Sequence, residues 1–111
     1  MKKINLAISG CMGRMGQQLI ESSKNNNNFK LSALTENKLV KKKIYGIKPE
    51  LNSKNAFKKT DVIIDFTTPE CTLEILKIAA KLKKRVLIGT TGFNQNQEKI
   101  ATEIDNFNQA I

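Results

Sequence analysis

The chain has 111 residues, enough for one domain whose core is thin, since a protein this short buries roughly 60–70% of the surface its unfolded form exposes. Its 40% hydrophobic and 5% aromatic content suits a soluble α/β protein, and no apolar run approaches the ~20 residues of a membrane span. The net charge of +9 is almost all lysine, in a sequence also rich in Asn and Ile, and the Lys41–Lys43 run lacks the interleaved aromatics on which bases stack, so the expectation is a solvated basic surface that binds neither nucleic acid nor membrane.

The start, MKKINLAISG, is too short in its apolar part for a signal peptide and runs into a glycine turn. Lys3–Ser9 instead reads as a strand buried on both faces, as in parallel sheets. GCMGRMG, Gly10 to Gly16, follows at once. Met15, Leu19 and Ile20 then give a helical stripe that ends before the Asn25–Asn28 loop. FKLSALT, Phe29–Thr35, is a second strand, and Glu36–Thr60 is the least informative region, with a short helix expected over Ser53–Lys59. Asp61–Phe66 (DVIIDF) is a third strand. Thr68 as N-cap and Pro69 at the first helical position open a helix that runs to about Lys83, with Leu73, Ile75, Leu76, Ala79, Ala80 and Leu82 facing inward. Arg85–Ile88 is a fourth strand, closed by GTTGF. Asn94 with Gln97 makes a capping box, and Ile100, Ile104 and Phe107 share one face of a last helix. A further strand is expected to begin near Gln109–Ile111, which would leave the chain as a domain cut short.

Strands and helices alternating at this spacing make βαβ units with right-handed crossovers and a parallel sheet covered on both sides. The expected order has the first strand in the centre, the second on one side and the DVIIDF and VLIG strands on the other: a Rossmann-like, doubly wound α/β fold over residues 1–111, its crevice beside the first strand. Strand, glycine turn and helix N-terminus are the context of a phosphate loop. Gly10 takes the tight turn, Gly13 lets the backbone approach a pyrophosphate and Gly16 leaves room for helix packing, although the spacing is GxxGxxG and not GxGxxG. Glu36, at the end of the second strand, stands where an acid accepts from ribose hydroxyls. It repels a 2′-phosphate, and its neighbour is Asn37, so NADH is favoured over NADPH. Phe66-Thr67-Thr68-Pro69 and Gly89-Thr90-Thr91-Gly92-Phe93 emerge from the same sheet edge, where their hydroxyl groups either meet a ligand or cap the helices that follow.

Two lone cysteines and no histidine exclude a Cys/His metal site and point to a reducing, cytoplasmic setting. Cys11 beside a helix N-terminus has a route to a lowered thiol pKa; the simpler reading is a small residue in a tight turn.

GCMGRMG after INLAIS, then DFTTPE, then IGTTGF resemble, in this order and over essentially the whole chain, the N-terminal domain of the dihydrodipicolinate reductase family. The resemblance implies that Gly10, Cys11, Met12, Gly13, Arg14 and Met15 form the pyrophosphate loop and that Glu36 takes the ribose. It puts Phe66 and Thr67, with Gly89, Thr90 and Thr91, at the nicotinamide side. It further implies an oxidoreductase that reduces a cyclic dicarboxylate of the diaminopimelate and lysine pathway with NADH or NADPH, as a homo-oligomer. The family's His-rich motif and anion site belong to a second domain that this chain does not contain, so no catalytic residue is expected here, and the chain alone is expected to bind cofactor without catalysing. The competing expectation is a non-catalytic nucleotide-binding module with a regulatory role.

Overall fold

Ile4–Ser9 form the central strand β1, with Leu6 to Ser9 all buried, as a strand covered on both faces must be. In the computed structural model, which describes residues 3–104, eight further elements follow: α1 (Arg14–Lys24), β2 (Phe29–Glu36), β3 (Glu50–Leu51), α2 (Lys54–Phe57), β4 (Val62–Asp65), α3 (Pro69–Leu82), β5 (Arg85–Ile88) and α4 (Gln95–Ile104). The strands make one sheet in the order β3-β2-β1-β4-β5, every neighbouring pair parallel. The expected central position of the first strand is therefore observed. The two-residue edge strand β3 was not anticipated: it is exposed at both residues and carries no pattern to read.

Successive side chains of a strand point to opposite faces, and the two halves of the core follow from that. Ala7, Ala33, Ile63 and Val86 meet Phe57 of α2 and Ile75, Leu76 and Ala79 of α3. Their neighbours Ile8 and Leu34 point the other way, onto Cys11 and Ile20, with Leu19, Ile44 and Ile47 around them. On this second face the β4–β5 half carries an open apolar groove that includes Leu6, Leu19, Val62, Ile64 and Leu87. Pairing of β1 with β2 slips by one residue between Leu6 and Ala7, so that Ser32 is the extra residue of a bulge, its hydroxyl donating to the Leu6 carbonyl at 2.9 Å.

The helix boundaries follow local chemistry. Thr68 caps α3, its Oγ1 accepting the Cys71 N–H at 3.3 Å, with Pro69 in the first turn. Ser53 caps α2 in the same way, through the Ala56 N–H at 3.0 Å. Asn94 and Gln97 bond reciprocally, the Asn94 N–H to Gln97 Oε1 at 3.0 Å and the Gln97 N–H to Asn94 Oδ1 at 2.8 Å. One expected stripe needs correction. In α1 the buried face is Gly16, Ile20 and Ser23, and Met15 is 44% exposed; the glycine, one position on, is what lies against the preceding turn. In α4 Ala101 is buried and Ile100, from the expected stripe, is half-buried. Phe107 and the strand expected near Gln109–Ile111 lie outside the described residues.

Candidate functional site

The glycine turn is built around the Gly10 carbonyl and the end of β2. Gly10 has φ +85°, and its N–H and that of Cys11 both donate to the Thr35 carbonyl, at 3.0 and 3.2 Å. A Cβ at Gly10 would fall 2.4 Å from the Phe66 carbonyl oxygen, and one at Gly16 would fall 2.1 Å from the Gly10 carbonyl oxygen. Both glycines are therefore required by close backbone approach. Gly16 makes room for the turn itself, in addition to the helix–sheet packing anticipated for it. Gly13 differs: its φ is −75° and an added Cβ would meet only the Gly10 oxygen, at 3.3 Å. Its missing side chain leaves open the space in front of α1.

That space faces an anion-ready helix end. Gly13 is the N-cap of α1, no side chain caps it, and no acidic residue lies in the first turn. The first intrahelical bond runs from the Gln17 N–H to the Gly13 carbonyl, at 3.0 Å, so the N–H groups of Arg14, Met15 and Gly16 have no intrahelical acceptor, and the helix dipole adds positive character there. Met12 is exposed, like Met15. The Cys11 side chain is instead fully buried among Ile8, Ile20 and Leu34. Burial, reinforced by the Glu36 charge, pushes its thiol up to about 11, which corrects the idea of an activated thiol: the helix end does not offset desolvation.

Glu36 closes the other side of the cleft. Its Oε2 accepts the Met12 N–H at 2.9 Å and its Oε1 the Asn37 N–H at 3.1 Å, so the carboxylate braces the glycine turn against the end of β2. Gly10, Gly13, Glu36, Asn37, Phe66, Thr67 and Thr68 together line a cleft of about 180 Å³. A second cleft of about 430 Å³ adjoins it through Glu36, Asn37 and Thr68, and is walled by Leu51, Asn52, Glu70, Cys71 and Glu74. Sequence reasoning missed these walls. Leu51 and Asn52 arrive there because β3 pairs with the end of β2, Leu51 opposite Glu36, whereas Glu70 and Glu74 could have been placed from the helix opened by Pro69.

The loops after β4 and β5 form the third wall. Phe66 stacks so closely on Gly89 that a Cβ there would lie 2.1 Å from its ring. The Gly89 N–H donates to the Asp65 carbonyl at 2.8 Å. Thr67 and Thr90 turn inward: Thr67 Oγ1 donates to Asp65 Oδ1 at 2.6 Å, and the Thr67 N–H donates to Thr90 Oγ1 at 2.8 Å. Thr90 is buried and Thr91 exposed. The site residues read from the sequence thus fall on one end of the sheet. Gly10, Gly13, Glu36, Phe66 and Thr67 share a cleft, Met12 adjoins it through its N–H on Glu36, Arg14 and Met15 open α1 with exposed side chains, and Gly89 and Thr90 lie behind Phe66.

A parallel sheet with β2 and β4 on either side of β1, and a glycine turn feeding an uncapped helix at the point where strand order reverses, defines a Rossmann-like nucleotide-binding domain. Within that class, residues 4–110 match the family described as dihydrodipicolinate reductase, N-terminus. The chain belongs to this family. It is 76% identical over 100 residues to a 4-hydroxy-tetrahydrodipicolinate reductase of Pelagibacter ubique (strain HTCC1062), an alignment that covers 90% of this chain and 39% of that protein. The structure of dipicolinate-bound dihydrodipicolinate reductase from Paenisporosarcina sp. TG-14 superposes with a TM-score of 0.74 at 29% identity, over 93% of this chain and 43% of that one. Homoserine dehydrogenase of S. aureus shares the fold, with a TM-score of 0.73 at 19% identity over 99% of this chain and 32% of that one. The chain spans well under half the length of the curated relatives it matches.

Proposed function

We infer that this chain is the NAD(P)H-binding part of a 4-hydroxy-tetrahydrodipicolinate reductase, a cytoplasmic, homo-oligomeric enzyme of lysine and diaminopimelate synthesis. The observation that carries the reading is the cleft in front of α1, bounded by a glycine that needs no side-chain space for the fold and by helix N–H groups that have no acceptor. In this reading the turn from Gly10 through Cys11, Met12, Gly13, Arg14 and Met15 holds the pyrophosphate, Cys11 contributing backbone alone and Arg14 a cation at the rim. Glu36 accepts from the adenosine ribose hydroxyls with the lone pairs that Met12 and Asn37 leave free. The remaining half of the dinucleotide then extends over β4 and β5, along Phe66, Thr67, Gly89, Thr90 and Thr91, because the ribose end is fixed on the β2 side of β1.

The nicotinamide, when bound, supplies the hydride for reduction of a cyclic dicarboxylate. This chain's own residues bind and orient, and with no histidine among them the proton donor and the substrate site belong to the remaining length that the relatives have. NADH is the preferred cofactor. Glu36, Glu70 and Glu74 line the ribose-side clefts, and among the described residues no Lys or Arg lines either, so a 2′-phosphate placed there faces carboxylates and no lining cation.

Calorimetric titration of NADH tests the reading. The chain is expected to bind NADH, and Gly13→Val to weaken binding by at least about tenfold, because a branched side chain fills the space in front of α1. Equal affinity in the two proteins removes the phosphate-loop assignment.

A further inference from the structure

The cofactor reading makes no use of one charged group that lies beneath it. Asp65, the last residue of β4, is fully buried. Its carboxylate accepts hydrogen bonds from two hydroxyls, Thr67 Oγ1 at 2.6 Å and Thr72 Oγ1, the second from the first turn of α3. Its backbone carbonyl takes the Gly89 N–H at 2.8 Å and stands 3.5 Å from Thr90 Oγ1. The Thr67 N–H closes the circuit on Thr90 Oγ1 at 2.8 Å. One residue therefore fastens three segments: the loop after β4, the loop after β5 and the start of α3. Phe66 sits inside this circuit, its carbonyl against Gly10 and its ring against Gly89, so a shift of the loop reaches both walls of the cleft.

A buried carboxylate is a costly way to tie loops together. Burial pushes the Asp65 carboxyl up, by more than the hydroxyls of Thr67 and Thr72 pull it down. The neutral isostere Asn fits the same volume without burying a charge. It cannot, however, accept from two hydroxyls with the same two oxygens, since one of its terminal atoms is a donor. With Asn one threonine has to turn its proton elsewhere, and for Thr67 the nearest alternative is the Thr68 carbonyl at 3.4 Å, a poor bond. The carboxylate specifies a rotamer of Thr67, and with it the path of the Phe66–Thr68 backbone.

We propose that Asp65 is a positioning residue that holds the loops after β4 and β5 in the shape that receives the nicotinamide half of the cofactor. The proposal rests on the cofactor reading above and adds to it a division of labour. Glu36 and the α1 N-terminus serve the adenosine and pyrophosphate half, on the β2 side of the switch point. Asp65 acts, through Thr67 and Thr90, more strongly on the other half than on this one.

That division supplies the test. NADH and ADP-ribose are titrated by calorimetry into the 111-residue chain and into its Asp65→Asn, Thr67→Val and Thr67→Ser variants. ADP-ribose carries the adenosine and pyrophosphate groups and lacks the nicotinamide. Asp65→Asn and Thr67→Val are expected to bind NADH about five- to tenfold more weakly, the scale of one ordinary hydrogen bond, with ADP-ribose affinity unchanged within about twofold. Thr67→Ser, which keeps the hydroxyl, restores NADH affinity. Equal losses for the two ligands would assign Asp65 a merely structural role and overturn the proposal, and so would unchanged NADH affinity. If Asp65→Asn does not fold, Thr72→Val, which removes the carboxylate's other hydroxyl donor at a buried position outside both clefts, decides the matter: an NADH-specific loss supports the proposal, and equal losses or no loss overturn it. A parent chain that binds neither ligand overturns the cofactor reading along with this one, whereas a parent that binds both without any NADH-specific loss overturns this one alone.

Discussion

A methyl group at Gly16 would be 2.1 Å from the Gly10 carbonyl oxygen, and at Gly13 it would be 3.3 Å from the same atom. The two positions, three residues apart in one motif, therefore carry different constraints: backbone contact fixes the first, and open space distinguishes the second. Gly16→Ala is expected to destabilise the chain by about 2 kcal/mol or more, as overpacking against rigid backbone does. Gly13→Ala should cost under about 1 kcal/mol, since only a small displacement is needed. Urea denaturation of the two variants checks this, and the reverse ranking would contradict the geometry. Gly10 and Glu36 were legible in the sequence because a turn and a strand end leave them few alternatives. The inward turn of Thr67 and Thr90 was not. A threonine in a loop reads the same whether its hydroxyl faces a ligand or a buried acid two residues back, and Asp65 passed in the sequence as one letter of a strand.

At the scale of elements, the long strands and helices were readable because each carries its own signal. Thr68-Pro69 announces α3, and INLAIS and VIID are short apolar runs with no alternative partner. The segment from Asn37 to Pro49 has no such signal and is ordered from outside. Ile44 and Ile47 pair with each other through backbone bonds of 2.9 Å and pack onto Ile8, Ile20 and Leu34. Between them Tyr45 adopts φ 50°, its hydroxyl donating to Glu21 of α1 and its ring lying under the Lys24 ammonium, 5.1 Å from the centroid. The partners of Tyr45 are 21 and 24 positions away in sequence, where periodicity has nothing to say. Strand β3 is a product of the same segment, placed by its pairing with β2. At the far end of α3, Lys83 caps the helix in the left-handed region, φ 57°, with its N–H on the Ala79 and Ala80 carbonyls. Glycine populates that conformation without strain, so Lys83→Gly is expected to raise stability by about 0.5–1 kcal/mol. A thermal melt that shows a lower midpoint would contradict the capping geometry.

Across the whole molecule, the strand order brings every residue implicated in binding to one end of the sheet, although they come from four separate parts of the chain. The glycine turn, Glu36, the Phe66–Thr68 loop and the Gly89–Thr91 loop all follow the carboxyl end of a parallel strand, which is where the open edge of such a sheet accepts ligands. An apolar groove lies elsewhere, over β4 and β5 beside Leu19 and Leu87, on the face opposite α3. The two surfaces differ in kind: one polar, with unpartnered N–H groups, the other nearly free of polar atoms. Two-dimensional amide NMR of the nitrogen-15-labelled chain, recorded as NADH is added, tests most directly which of them is the binding site. The account predicts saturable shifts at Gly10 to Gly16, at Glu36 and Asn37, and along Phe66 to Thr68 and Gly89 to Thr91. Shifts confined to the groove residues Leu19, Ile64 and Leu87, or no saturable shift at all, would contradict it.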